Sequence, residues 1–283
     1  MISALNRLED STLELTITIP WKMITETYQE SLKNLAEKAT IKGFRKGKAP
    51  LKIVEEKLGK QEIYEEVLKD ILPKVYLEAV KEHDLRPVVN PQITVISLED
   101  KKDWQVKATT CELPKIELRD YKEAVKKALS SEKIWVPGKD KEPAKEDENQ
   151  RLEKIFQTLL ENTKIKLPAI LLQEEVNRML SRLIDQTARL GLTVEQYLAS
   201  AGKTTETVKK EYQDQAEQTL KLELILSEIA NQEKVEVKEE DIDKMIEAIP
   251  DQELKKSFDS QEQRAYVRQL LRKRQVIDNL SKL

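Results

Sequence analysis

Apolar and polar residues alternate strictly near the start of the chain. From Thr12 to Ile19 leucine and isoleucine occupy every second position, which is the period of a strand with one buried face. The E-D-S sequence just before it indicates a turn, so we expect Ala4–Leu8 to pair with this strand as a hairpin. Two more strands are predicted after Pro91, at Ile93–Leu98 and at Trp104–Cys111.

The apolar spacing between these strands changes to that of amphipathic helices. One apolar stripe begins at Trp21 and ends at Ala39. A short helix is predicted at Leu51–Leu58, stopped by Gly59, and a long helix follows at Gln61–Asp84. Residues 1–113 therefore predict a small α+β domain.

The second half of the chain has helical spacing throughout. Helices are predicted after Pro168, from about Thr204, around Ile242–Ile249 and at Gln261–Leu280. Residues 114–149 instead hold a weak helix, a short extended piece (I-W-V-P-G) and the charged run K-D-K-E-P-A-K-E-D-E-N, a composition typical of a linker. We therefore predict an α+β domain at 1–113, a linker at 114–149 and an all-α domain at 150–283, in an elongated multi-helix architecture.

The amino-acid composition narrows the classes of function that this chain can have. Charged residues make up 36% of the chain and aromatic residues 5%, which favours exposed amphipathic helices over an aromatic-rich β core. A net charge of -3 excludes a globally basic nucleic-acid binder. Cys111 and His83 are the only cysteine and histidine, and the adjacent glutamate pairs fall on helices where neighbours diverge. We predict no catalytic site, no metal site and no cofactor.

The sequence also shows no pattern typical of a signal peptide or a membrane span. The first ten residues lack the basic and apolar regions of a signal peptide. No stretch approaches the roughly 18 continuous apolar residues that a membrane span needs. We expect a reduced, cytoplasmic protein with no membrane partner.

One short segment departs from the acidic background. Residues 41–60 begin I-K-G-F-R-K-G-K-A-P-L-K-I-V and hold seven cations against two acids. The G-x-x-x-G-K run is too short between its glycines for a phosphate-binding loop, and Ala49 follows where that loop needs Ser or Thr. A solvated turn remains one interpretation. An aromatic residue, Phe44, among cations instead favours a contact surface for a partner that offers phosphates and an apolar pocket, such as folded RNA with protein.

The sequence G-F-R-K-G-K-A-P at Gly43–Pro50 resembles the signature loop of the bacterial trigger factor family of ribosome-associated chaperones. The resemblance extends through the first domain to about Glu112. It resumes more weakly from about Glu161, where K-L-P-A-I-L-L-Q-E-E-V and L-E-L-I-L-S-E-I-A are similar to the family's SurA-like helical chaperone domain. Typical members carry an FKBP-like prolyl isomerase domain between these parts, and residues 113–168 are too few and too poor in aromatics to encode it.

This resemblance implies where the chain docks. In the family the loop lies beside the polypeptide exit tunnel of the large ribosomal subunit and contacts ribosomal protein and rRNA. By resemblance, Phe44, Arg45 and Lys46 are expected to form the docking tip. The residues expected to shape the loop are Gly43, Gly47, Lys48 and Pro50.

The predicted function is that of an ATP-independent chaperone, not an enzyme, which shields nascent or unfolded polypeptides without isomerase activity. Met179, Leu183 and Met245 are candidate contacts to clients, although residues on helical stripes are more often core. An alternative is a ribosome- or RNA-binding assembly factor with a partner-specific helical domain, and a periplasmic chaperone with a similar helical core is a weaker rival. Self-association away from the ribosome stays open.

Overall fold

The computed structural model describes residues 2–130, 148–250, 255, 258 and 260–283. These residues form a four-stranded sheet near the N-terminus and nine α-helices with described bounds. The chain divides into two compact units. The first is Met1–Leu113 with Pro168–Leu171, and the second is Pro114–Leu167 with Leu172–Leu283. An α+β part followed by a helical part agrees with the predicted fold class.

The sheet of the first unit is antiparallel, with the strand order β1-β2-β4-β3. Its strands are β1 (Ile2–Arg7), β2 (Thr12–Ile19), β3 (Gln92–Ser97) and β4 (Trp104–Cys111). β1 and β2 form the expected hairpin, with Leu5 opposite Leu15. The alternation in β2 reflects a strand with one buried face, as predicted. Its leucines and isoleucines are buried, while the positions between them are partly exposed.

Two helices supply the other half of this core. They are α1 (Trp21–Lys38) and α2 (Leu51–Glu82). In α2 an apolar row at four-residue spacing is buried and packs with the sheet in one cluster; its members are Ile63, Val67, Ile71 and Val75. The two helices predicted at 51–84 are one run interrupted at Gly59, where the backbone is non-helical, and the run continues through Pro73.

The second unit is helical in the part that the structure describes. Its helices are α3 (Tyr121–Ser130), α4 (Glu148–Asn162), α5 (Ala169–Arg189), α6 (Val194–Ser200), α7 (Thr205–Gln232), α8 (Glu239–Glu247) and α9 (Gln261–Leu280). The short helix α6 was not predicted. The predicted extended piece and most of the charged run fall at residues 131–147, outside the described residues.

The largest core of this unit joins α3, α4, α7 and α9. Residues 121–130 belong to the stretch expected to be a linker, yet they form α3 and bury Tyr121 and Val125 in this core. The Tyr121 hydroxyl donates to Glu233 at 2.9 Å. Burial, followed by this carboxylate, raises the pKa of Tyr121.

Two smaller clusters lie apart from that core. One joins α5, α6 and α7 through Leu183, Leu198 and Val208. The other joins α8 and α9 through Ile242, Ile246 and Val267. The apolar stripes of the second unit are therefore buried in three separate clusters.

Candidate functional site

The basic loop, residues 39–50, connects α1 to α2 and is tied down at its base. The Gly47 N–H donates to the carbonyl of Ala39 at 3.4 Å, closing the loop where it leaves α1. Ile41 is buried in the core of the first unit. Tight turns shape the tip, where the Phe44 N–H donates to the Ile41 carbonyl at 3.0 Å and the Lys48 N–H to the Arg45 carbonyl at 2.9 Å. The loop is thus anchored at its base and exposed at its tip.

Gly47 is required by two independent features of this backbone. Its φ is +74°, a conformation that L side chains rarely adopt. A Cβ at this position would also lie 2.9 Å from the carbonyl oxygen of Glu37, a backbone atom that cannot swing away. Gly43 has a φ of +95° but open space where a Cβ would lie, so only the first feature applies there.

We expect Gly47→Ala to lower the free energy of unfolding of the first unit by about 2 kcal/mol, from backbone strain plus the clash with Glu37. Gly43→Ala is the control in the same loop, and it should have a clearly smaller effect because it meets no neighbour. Urea unfolding of both variants measures the difference. Equal effects would mean that the contact with Glu37 relaxes without cost.

The side chains at the tip are exposed and electrostatically unpaired. Phe44 is 40% exposed, and the cations around it are exposed as well. Among the described residues, no carboxylate forms an ion pair with Lys42, Arg45, Lys46 or Lys48. Their positive charge is therefore available to an external partner, and it surrounds one large apolar side chain.

A network of tyrosines and carboxylates joins α1, the first part of α2 and the turn between β3 and β4. The Tyr28 hydroxyl donates to Glu55 at 2.6 Å, while Lys60 and the Tyr64 hydroxyl both donate to Asp100 at 2.8 Å. The hydrogen bond from Lys60, followed by that from Tyr64, holds the pKa of Asp100 below its ordinary value. Burial and then Asp100 raise the pKa of Tyr64 to about 12. Asp100 is thus favoured as an anion, and Tyr64 remains a hydrogen-bond donor near neutral pH.

The candidate client residues lie on two helices, Met179 and Leu183 on α5 and Met245 on α8. Leu183 is buried in the cluster of α5, α6 and α7. Met245 packs against the cluster of α8 and α9. Met179 is half-buried on α5. The structure therefore places Leu183 and Met245 in two different apolar clusters.

A set of exposed apolar side chains near the end of α5 was not singled out from the sequence. The exposed fraction is 54% for Ile184, 67% for Leu190, 40% for Leu192 and 37% for Tyr197. Leu190 and Tyr197 line a cavity of about 340 Å³; its other lining residues are Leu183, Gln186, Thr187 and Arg189. A sequence signal for α6 existed in the capping box T-V-E-Q, in which Thr193 and Gln196 satisfy each other's backbone N–H groups.

Cysteine, histidine and carboxylate side chains are the groups of this chain that could bind a metal ion or act as a nucleophile. They contain no group of three or more His, Cys, Asp or Glu side chains suited to a metal ion. Cys111 is buried, and burial raises the pKa of its thiol to about 11, so it is a poor nucleophile. His83 caps the C-terminal end of α2 and shares a 2.9 Å hydrogen bond with the Ser3 hydroxyl. Within the described residues, no helix has the length and apolar character to cross a bilayer.

Two family models match the chain. One, described as bacterial trigger factor protein, matches residues 1–155, and the other, its C-terminus, matches residues 139–282. The chain is 33% identical over 121 residues to a trigger factor of Streptomyces avermitilis, covering 43% of this chain but only 26% of that protein. A trigger factor of Staphylococcus epidermidis is 21% identical over 375 aligned positions, covering 84% of this chain and 87% of that protein.

The Staphylococcus epidermidis alignment is longer than the 283 residues of this chain, so that relative contains residues inserted with respect to it. Among solved structures, one described as "Promiscuous Substrate Recognition in Folding and Assembly Activities of the Trigger Factor Chaperone" has the same fold, with a TM-score of 0.66. It is 16% identical, and the match covers 100% of this chain and 99% of that one. Each family model matches more than half of the sequence, and the chain therefore belongs to the bacterial trigger factor family.

Proposed function

We propose that this protein is an ATP-independent chaperone that docks on the large ribosomal subunit near the exit tunnel and shields nascent or unfolded polypeptides. The observation that carries the docking proposal is the exposed Phe44 among unpaired cations on an anchored loop. Phosphates of rRNA would attract the cations, and an apolar recess on ribosomal protein would receive the ring. A loop that is already ordered loses less entropy when it binds.

The docking residues that we propose follow the geometry of the loop. Phe44, Arg45 and Lys46 form the contact tip, since they combine exposure with the absence of an internal charge partner among the described residues. Gly43 and Gly47 allow its turns, and Pro50 leads directly into α2. Lys48 adds charge beside the tip.

The shielding function is supported by the second unit. Exposed apolar side chains near α5 and α6 can bind apolar segments of an unfolded chain, and charged residues on the same helices keep such contacts weak and reversible. The trigger factor chaperone of similar fold is described as showing promiscuous substrate recognition, which fits a surface of this kind. No cofactor is required for contacts of this type.

We further propose that the chain lacks prolyl isomerase activity and is not an enzyme. The two family models together cover residues 1–282 without a gap, and the Staphylococcus epidermidis relative carries inserted residues. Docking on translating ribosomes implies a cytoplasmic location. An assay on an X-Pro peptide, free of protease, should show no acceleration above background, and clear acceleration would contradict this part of the proposal.

Two assays test the main proposal. The protein should pellet with ribosomes through a sucrose cushion, and the bound fraction should fall steeply as salt rises because phosphate contacts are screened. The purified protein should also slow the aggregation of several unrelated unfolded proteins. Ribosome binding without such suppression would instead support the alternative, an assembly factor with one specific partner for its helical part.

A further inference from the structure

The helix that follows the basic loop has a joint close to its start. Gly59, with φ +80° and ψ 158°, interrupts α2 and separates residues 51–58 from residues 60–82. Residues 51–58 continue directly from the loop, so their tilt, together with the contacts of the loop base to α1, sets the direction in which the loop points. A Cβ at Gly59 would meet nothing within 4 Å, so the space beside the joint is open where a side chain would lie.

Apolar packing holds residues 51–58 from one side. Val54 is fully buried in the core of the first unit, Ile53 and Leu58 are partly buried against it, and Leu51 is exposed. Packing from one side does not by itself set the tilt of a short helical segment. Directional contacts are needed to define the orientation of this segment.

Such contacts lie on both sides of the joint. Before it, Glu55 accepts the hydrogen bond from Tyr28 of α1 at 2.6 Å. After it, Asp100 of the β3–β4 turn accepts from Lys60 and Tyr64, both at 2.8 Å. The joint thus lies between Glu55, which Tyr28 of α1 holds, and Lys60 and Tyr64, which Asp100 of the β3–β4 turn holds.

A row of aromatic rings connects the two sides. The rings of Tyr28 and Tyr64 meet edge to face at 5.8 Å, and those of Tyr64 and Trp104 at 5.0 Å. Trp104 is fully buried, and its indole N–H donates to the carbonyl of Glu99 at 3.2 Å. The row therefore runs from the core of the sheet to the hydroxyl that holds Glu55.

We propose that Tyr28, Tyr64 and Asp100 are positioning residues for the basic loop. Tyr28 holds Glu55 before the joint, and Asp100 holds Lys60 and Tyr64 after it, so that the loop is presented to its partner already aligned. The positioning itself is a property of the free protein, and its effect on affinity rests on the proposed ribosome docking. Loss of alignment lowers affinity because the loop must then be ordered on binding.

The test removes the two hydroxyl donors and keeps the rings, in the double variant Tyr28→Phe and Tyr64→Phe. Spin labels at Lys46→Cys and Gln105→Cys report the distance from the loop to the sheet, and the native Cys111 is buried. We expect a narrow distance distribution in the parent protein and a clearly broader one in the double variant. Ribosome affinity, measured without labels, should fall about fivefold, because a loop that is not held in one orientation must be ordered on binding.

Tyr76→Phe is the matched control, because it removes a hydroxyl farther along α2 and outside the network. It should change neither the distance distribution nor the affinity. The unfolding temperature of the double variant should stay close to that of the parent, since both rings and the core remain.

The two measurements separate the inference from the proposed function. An unchanged distance distribution in the double variant overturns the positioning role, whatever the ribosome assay gives. A broader distribution with unchanged affinity shows that alignment does not contribute to docking, which also overturns the inference. If the parent protein itself does not bind ribosomes, the proposed docking fails, and the distance measurement still decides the positioning.

Discussion

We expect simultaneous replacement of Phe44, Arg45 and Lys46 by alanine to abolish co-sedimentation with ribosomes at about 0.1 M salt. The variant removes the exposed ring and two unpaired cations from the tip of the basic loop. Burying an aromatic side chain and contacting two phosphates together account for a loss of affinity of at least about a hundredfold. The unfolding temperature should hardly change, because these side chains make no side-chain hydrogen bond or ion pair within the described residues.

A matched variant separates docking from a general loss of charge. Tyr266→Ala with Lys209→Ala and Lys210→Ala also removes one exposed aromatic and two exposed cations, but from the second unit. It should retain ribosome binding. If the loop variant unfolds, the loop is a structural turn; if it folds and still pellets with ribosomes, docking uses another surface.

The second large effect is expected from Arg272 of α9. Its guanidinium donates to the carbonyl of Val235 at 2.9 Å, and to the carbonyl of Ala230 and the side chain of Asn231 at 3.0 Å each. Ala230 and Val235 are both buried, at the end of α7 and just beyond it. The Arg272 side chain thus donates hydrogen bonds to carbonyl groups at the end of α7 and holds α9 beside them.

We expect Arg272→Ala to lower the free energy of unfolding of the second unit by about 3 kcal/mol, because carbonyl groups at this end of α7 lose a charged donor. Chemical denaturation followed by circular dichroism measures this change. Arg274→Ala is the control on the same helix, since Arg274 is exposed and makes no ion pair among the described residues. Similar losses for both variants would show that helix propensity, and not the three hydrogen bonds, is responsible.

Most elements of the fold were predictable because their apolar periods are long and regular. The alternation in Thr12–Ile19 and the four-residue spacing from Ile63 to Val75 correspond to β2 and to the buried row of α2. Helix α6 was missed because its seven residues are too few for a helical period to emerge. The start of α6 is set by the capping box at Thr193, which depends on two polar side chains and not on an apolar period.

The candidate site was predictable in composition but not in geometry. The two glycines, the aromatic residue and the cations of the basic loop are visible in the sequence, and Gly47 does have a positive φ. The contact that makes Gly47 necessary lies at Glu37, on the preceding helix. The spacing of residues along the sequence cannot show that two backbone segments come this close together.

The sequence by itself determined the amphipathic elements, the order of an α+β part before a helical part, and the chemistry of the basic loop. These follow from local residue order, since helix and strand periods and turn residues act over a few positions. The tertiary structure alone decided which charges find partners. Lys60 is paired with Asp100 while Lys42, Arg45, Lys46 and Lys48 have no such partner among the described residues, and Arg272 meets Val235 across 37 positions of sequence. Those outcomes depend on which distant segments the core brings together, and that is a property of packing in three dimensions.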